Sequence, residues 1–213
     1  NPQDPKSISG NLIIFLFEDS KGNVWVGTNS GLNRLVSVDK GRAEFLSYQH
    51  NPKNENSISN NNVSSIAEDS KGHLWLGTIG GGLNIFNPEI NQFTSHQNIE
   101  EDSKSLSDDN ISSICIDKFQ NVWIGTYNGG INKYSPTQNR FMLFQPSPFA
   151  KSKVAENNVS AILIDDKNNL WLGTNGDGIK IYRNKNVFDD SSILLEFKAN
   201  PKSNNTLSSN NVT

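Results

Sequence analysis

The chain has 213 residues, a formal net charge of −3, and only 34% hydrophobic residues. Its lysines and arginines are scattered among acids without a basic stripe, which argues against a nucleic-acid partner, and no apolar run approaches the ~20 residues of a membrane helix. Abundant Gly, Asn and Ser suit short strands joined by polar turns, not a bundle of helices. No signal-peptide pattern opens the chain. The single cysteine, Cys115, flanked by Ile114 and Ile116, reads as a small buried apolar filler.

Self-similarity decides the architecture. The stretch Glu68-Asp69-Ser70-Lys71-Gly72-His73-Leu74-Trp75-Leu76-Gly77-Thr78 returns as Glu18 to Thr28, Asp117 to Thr126 and Asp165 to Thr174. All four tryptophans, Trp25, Trp75, Trp123 and Trp171, stand at one repeat position. The chain opens and closes inside a repeat. Ser7-Ile8-Ser9 matches Ser57-Ile58-Ser59, and Asn200-Pro201 to Thr213 opens a fifth copy. It therefore reads as a piece of a longer protein.

Taken in chain order, each copy holds four short apolar runs. The first is Ile13 to Phe17, Val63 to Glu68, Ile111 to Ile116 and Val159 to Ile164. Small or apolar residues on both faces predict a strand covered on both sides. A tight turn follows, headed by Asp19, Asp69, Asp117 or Asp165. An Asp there bonds the backbone N–H two positions on, and the Gly or Asn that follows tolerates positive φ. The turns are too poor in carboxylates for a calcium loop. The second run places tryptophan and glycine on one side and aliphatic residues on the other, so the tryptophans read as core.

A glycine-rich turn comes next: Asn29-Ser30-Gly31, Ile79-Gly80-Gly81-Gly82, Tyr127-Asn128-Gly129-Gly130 and Asn175-Gly176-Asp177-Gly178. Its glycines supply hairpin geometry. A phosphate cradle would need a helix after it, and a strand pattern follows instead. The non-glycine positions differ between copies, and variable tips on a repeated frame are where binding residues sit. The third run, such as Leu83-Asn84-Ile85-Phe86, alternates and reads as less buried, with a turn at Pro88 or Pro136 after it. The fourth run is Phe45 to Tyr48, Phe93 to His96, Phe141 to Phe144 and Leu194 to Phe197, preceded in the last copy by an insertion around 184–192. A polar connection such as His50 to Asn61 returns to the next copy, anchored by Ile58, Leu106 or Leu207. Asn62, Asn110, Asn158 and Asn211 each open an Asn-x-Ser/Thr sequon. Because they follow the repeat, they read as side chains that close the loop on backbone groups in preference to glycan acceptors.

Four short antiparallel strands in a unit of this length, with a recurrent tryptophan, make a β-propeller blade. The fold class is all-β. There are about four four-stranded antiparallel blades, near 12–48, 62–96, 110–144 and 158–197, and 198–213 begins a further repeat. The whole of 1–213 is read as one propeller fragment. The first strand of each blade would line the axis and the fourth would lie outside. Blades must stack to bury both faces. The outermost faces would form apolar patches, which predicts an open arc or self-association, including two arcs that close an eight-bladed ring.

The pattern Ser-x-Asn-Asn-Val-x-x-Ile-x-Glu-Asp-x-x-Gly-x-Leu-Trp-Leu-Gly-Thr-x-x-Gly-Gly-Leu, written on the second copy, resembles the two-component regulator propeller repeat. The Asn-Pro to Ser-Ile-Ser-Asn-Asn-Asn-Val linker resembles the sensor region of hybrid two-component systems from Bacteroides-like bacteria. The resemblance covers essentially the whole chain. It departs in the first copy, where Gly10-Asn11-Leu12 stands for Asn60-Asn61-Asn62. It implies a parent with about fourteen repeats in two seven-bladed propellers, followed by a further β-domain, a membrane helix and a histidine kinase. Kinase, receiver and DNA-binding segments are not in this sequence, so any membrane contact would come through the parent chain.

The resemblance further implies a periplasmic location, a dimeric receptor and an oligosaccharide ligand from a glycan. Sugar sites want aromatic faces with amide and carboxylate groups, which makes Asn29, Tyr127, Asn128, Asn175 and Asp177 the ligand-binding candidates, on the face shared with the long linkers. No cofactor is expected. The alternative reading is a protein-interaction scaffold without its own ligand site. Catalysis is not expected. The recurring acids sit in structural turns, Asp177 is the lone acid of the tips, and His50, His73 and His96 fall at different repeat positions with no metal-ligand spacing.

Overall fold

A computed structural model describes residues 3–135, 138, 140–144, 158–183, 193–203 and 205–212. Sixteen strands form four antiparallel sheets of four, each in simple chain order. The first sheet holds β1 (Ile13–Glu18), β2 (Val24–Thr28), β3 (Gly31–Asp39) and β4 (Arg42–Tyr48). The second holds β5 (Val63–Glu68), β6 (Leu74–Thr78), β7 (Leu83–Asn87) and β8 (Gln92–His96). The third holds β9 (Ile111–Ile116), β10 (Val122–Thr126), β11 (Ile131–Ser135) and β12 (Arg140–Phe144). The fourth holds β13 (Val159–Ile164), β14 (Asn169–Thr174), β15 (Ile179–Arg183) and β16 (Ile193–Phe197). No helix occurs among the described residues. The Pro136 turn and the insertion at 184–192 lie outside those residues. β16 starts one residue before the expected Leu194.

The chain divides into two compact units. One is Asn1–Gln97 with Asp109–Ile111; the other is Asn98–Asp108 with Ser112–Thr213. Each has its own core. In the first, Trp25 and Leu32 of the first sheet meet Val63, Leu74, Leu76, Phe86 and Phe93 of the second, with Ile58 of the linker. Rings supply much of this contact: Trp25 meets Phe86 edge-on at 5.8 Å and 72°, and Phe86 stacks on Phe93 at 4.4 Å. In the second unit, Trp123 and Ile131 of the third sheet meet Val159, Leu170, Leu172 and Tyr182 of the fourth. Alternation along β2 and β10 thus makes two unlike faces. The tryptophan face of one blade packs on the aliphatic face of the next.

The repeated Trp-x-Gly-Thr has a packing cause. A Cβ on Gly77 would lie 2.5 Å from Ser65 Oγ and 2.6 Å from Ile111 Cγ2, and one on Gly125 would lie 2.5 Å from Ser113 Oγ and 3.0 Å from Val159 Cγ1. At Gly27 of the first copy the Phe15 ring of the same blade lies over the glycine, whereas in these two copies the first strand residue of the following repeat sits there. A serine of the first strand holds it there: Ser64 Oγ donates to Ile111 O at 2.6 Å, inside the first unit, and Ser112 Oγ donates to Val159 O. Val212 takes the same seat on Gly173, held by Ser160 Oγ.

Two sequence expectations about burial are corrected. Apart from the buried first residues Val63, Ile111 and Val159, the first strands are half-buried or exposed, not covered on both sides, while β6 and β10 are buried throughout. A first strand is an edge with a neighbour on one side only, whereas a second strand is flanked on both. The third strand is deeper than its alternation implied. Asn33, Asn84 and Asn132 are 0% exposed. Each pairs with the serine of its own linker: Asn84 Oδ1 accepts Ser59 N–H at 2.9 Å and Asn84 Nδ2 donates to Ser59 Oγ at 2.8 Å, and Ser9–Asn33 and Ser107–Asn132 repeat this. Burying an amide is tolerable once both its ends are bonded.

The sequon reading also shifts by one residue. Asn61 and Asn210 close their linkers, accepting His50 N–H and Ala199 N–H at 2.6 Å each. Asn62 and Asn158 instead use their backbone carbonyls, toward Ile79 N–H at 2.9 Å and Asn175 N–H at 3.3 Å. Cys115 is half-buried, and burial pushes its thiol up.

Candidate functional site

Each blade has two working ends. At the end of the first turn, the aspartate does more than bond the backbone. Asp19 Oδ1 accepts the N–H groups of Lys21 and Asn23 at 3.0 and 2.8 Å, while Oδ2 takes the Trp25 indole N–H at 2.8 Å. Trp75 donates to Asp69 at 3.0 Å, Trp123 to Asp117 at 3.2 Å, and Trp171 to Asp165 at 2.9 Å. One carboxylate thereby closes the turn and satisfies the only polar atom of a core tryptophan.

These bonds favour the charged carboxylate. The Trp171 indole, aided by Asn169 and the Lys167 N–H against the pull of burial, holds Asp165 at about 2, below its ordinary 3.8. For Asp19 and Asp69, burial pushes upward, but the indole, turn N–H and neighbouring side chains outweigh it and the carboxyls sit low. A depressed folded-state value contributes stability above about pH 4 that fades as the pH falls toward 2. Urea midpoints are therefore expected to be level down to about pH 4.5 and to drop between pH 4 and 2.5. A midpoint unchanged at pH 2.5 would contradict this role for the aspartates.

At the opposite end lie the glycine-rich tips and the linkers. Gly80 and Gly82 donate backbone N–H groups to Asp109 O at 3.1 and 2.9 Å, and Gly176 and Gly178 donate to Asn210 O at 3.1 and 2.9 Å. Of the sequence candidates, Asn29 is exposed on the β2–β3 turn of the first unit, its N–H donating to Leu12 O at 3.4 Å. Tyr127 is 42% exposed on the β10–β11 turn, beside exposed Asn128, whose N–H donates to Asp108 at 2.9 Å. Asn128 and Gly129 line a hollow of about 460 Å³ with linker residues 98–103 and 105–107 and with Leu143; Lys104 of that linker is not part of its wall. Asn175 is exposed on the β14–β15 turn with Asp177. The candidates thus form two pairs in the second unit and a lone asparagine in the first. Among the described residues, no hydrogen bond joins the two pairs.

Asp177 is not free to receive a ligand in the way the sequence implied. Its carboxylate faces Lys180 Nζ at 2.5 Å and Lys198 Nζ at 2.8 Å, and Glu196 Oε1 lies 3.6 Å from Lys180 and 3.3 Å from Lys198. Burial acts to raise Asp177, but the two lysines outweigh it and hold the carboxyl low. Lys180 is 1% exposed. It stands where the other copies have Asn33, Asn84 and Asn132, and Asp177 stands where they have Ser30, Gly81 and Gly129. The fourth-copy counterpart of Ser59 is Ala155, which lies outside the described residues. An ionic cluster has replaced the serine–asparagine tether in one blade. The only advance sign of Lys180 and Glu196 was a break in the repeat alignment at Lys180.

Similarity to known proteins enters here. The sequence matches the family described as two component regulator propeller at residues 7–30, 57–80, 105–128 and 153–176. No curated protein matches the chain. Among solved structures, the extracellular domain of a hybrid two-component system from B. thetaiotaomicron superposes with a TM-score of 0.73 at 23% identity, over 89% of this chain and 25% of that one. A second extracellular domain from the same organism gives a TM-score of 0.54 at 21% identity, over 92% and 32%. Virginiamycin B lyase from Staphylococcus aureus gives 0.62 at 17% identity, over 92% and 58%. At these identities the likeness speaks to fold, and the chain spans a quarter to a third of the two extracellular domains. Every matched segment begins two residues before the linker serine or its counterpart and ends in the glycine-rich tip, so each contains one aspartate–tryptophan box. Four segments of the chain are two-component regulator propeller repeats.

Proposed function

We propose that this chain is part of the extracytoplasmic ligand-sensing region of a hybrid two-component receptor, lying in the periplasm, and that its ligand is an oligosaccharide released from a glycan. One observation carries the reading: copy-specific polar and aromatic residues, Tyr127 and Asn128 foremost, project from the tips of a frame whose other parts repeat. The recurring carboxylates are engaged by tryptophans and turn N–H groups, which supports binding over catalysis. The likeness in fold to extracellular domains of such receptors is consistent with this placement. In the parent receptor, a saccharide that binds one arrangement of the sensor more tightly shifts the population toward it, and the output follows.

Calorimetric titration of the chain with a panel of neutral and acidic oligosaccharides tests the reading. At least one member is expected to bind with a dissociation constant below about 1 mM, weakened in a Tyr127→Ala/Asn128→Ala variant if the tips are the contact. Heat changes no larger than dilution across the whole panel would sink the sensor reading for these blades and leave a scaffold.

A further inference from the structure

A groove of about 500 Å³ runs between the β9–β10 turn and the β13–β14 turn, both within the second unit and at the end away from the tips. Lys118, Phe119, Lys133, Lys167, Asn168 and Arg183 line it. Four cations thus converge in a chain whose net charge is −3. The acids of the two turns do not cancel them fully. Asp117 is held by Trp123 and Asn121, and Asp165 by Trp171 and Asn169. Asp166 is exposed beside Lys167 and does not line the groove.

The first unit shows what fills the matching place there. Ser20 donates its N–H at 2.7 Å and its hydroxyl at 2.6 Å to the carboxylate of Glu68, which reaches across from the second blade. In the second unit the counterpart of Ser20 is Lys118 and the counterpart of Glu68 is Ile164. The carboxylate is gone, and a lysine replaces its hydroxyl donor. Two further features point to what takes its place. Phe119 is 66% exposed at the groove wall, with Lys118 Nζ 5.4 Å from its ring centroid, so a ring and a cation stand together there. Asn168 Oδ1 is buried without a hydrogen-bond partner among the described residues, and a buried acceptor left unpaired is costly until a donor arrives.

We propose that this groove is a binding subsite for an acidic saccharide. A ring carboxylate sits among the lysines and Arg183, as Glu68 sits in the first unit. A hydroxyl donates to Asn168, and an apolar sugar face lies on Phe119. A bare inorganic anion would use the cations alone, and an acidic peptide has no row of hydroxyl donors to offer. The inference rests on the saccharide-sensing reading above, and it names a second end of the blade and a charge class for the ligand.

The test is a titration of the whole chain with trigalacturonate, maltotriose, sodium sulfate and pentaglutamate at low and moderate salt. It is run on the parent sequence, on Lys167→Gln/Arg183→Gln, on Phe119→Ala, and on a charge-matched Lys104→Gln/Lys202→Gln control. Trigalacturonate is expected to bind, to weaken as salt rises, and to lose at least tenfold in the groove double variant and severalfold in Phe119→Ala, with the control within twofold. Sulfate or pentaglutamate binding as tightly as trigalacturonate, or equal losses in the groove and control variants, overturns the proposal. Binding of maltotriose with no response to trigalacturonate overturns the groove and leaves the sensor reading standing, whereas silence from every saccharide overturns both.

Discussion

Trp123→Ala is expected to lower the unfolding free energy of the chain by about 3–5 kcal/mol, the range for removing a large ring from a packed core. Trp123 is 0% exposed between the third and fourth sheets, in contact with the residues around Leu170, Leu172 and Tyr182. Its removal also strips Asp117, 2% exposed, of the indole that donates to it, so a desolvated carboxylate loses one of its donors. Trp171 occupies the same repeat position but is half-buried, and among the described residues of the second unit no further four-stranded sheet packs on its face. Trp171→Ala is expected to cost roughly half as much, since less apolar area returns to water. Urea unfolding of the two variants measures the difference. Equal losses would mean that the tryptophan face gains nothing from the blade stacked on it.

Asp177→Ala follows from the ionic cluster. It takes from the Lys180 ammonium, 1% exposed, the nearer of its two acidic partners among the described residues and leaves Glu196 at 3.6 Å. Removing one member of a buried pair costs about 3–5 kcal/mol, and the lower end applies because Glu196 stays and Asp177 itself is partly solvated. The double variant Asp177→Gly/Lys180→Asn restores the residues of the second and third copies and removes the orphaned charge. It is expected to recover most of that loss, a coupling well above ~1 kcal/mol in a double-mutant cycle. A double variant no more stable than Asp177→Ala would show that the loss does not come from the lysine left behind. The same cycle clarifies ligand work: a binding defect in Asp177→Ala alone cannot be read as a lost contact, because the tip it sits on loses its anchor.

Much of this was legible in the residues, for reasons that can be named. Trp25, Trp75, Trp123 and Trp171 fall in register, and a repeat that long with four apolar runs has few architectures open to it. The turn positions were legible because Asp and Gly carry local signals. Burial across the sheet was not. Composition made first strands look enclosed, yet edge or interior position depends on which strands pair, and Asn33, Asn84 and Asn132 look solvated until the linker serine that bonds them is in place. The indole–carboxylate bond was missed because Asp and Trp lie six residues apart across a turn whose geometry must be known first. The tip candidates illustrate the same limit. Tyr127 and Asn128 stand exposed as their positions implied, while Asp177 is engaged by lysines at Lys180 and Lys198 that only strand pairing brings beside it. The basic groove was hidden in a near-neutral chain because Lys118 and Arg183, 65 positions apart in sequence, meet only when two blades stack.

The central claim is that the repeated parts of each blade hold the frame and the copy-specific ends read a saccharide. Amide hydrogen exchange, recorded with and without a saturating oligosaccharide from the panel, tests it most directly. The account predicts slower exchange in copy-specific segments, 118–121 with 167–169 for an acidic sugar or 127–130 for a tip-bound one, and unchanged exchange in the buried strands β6 and β10. Exchange that changes in those buried strands while both sets of ends stay the same, or that changes nowhere, would contradict it.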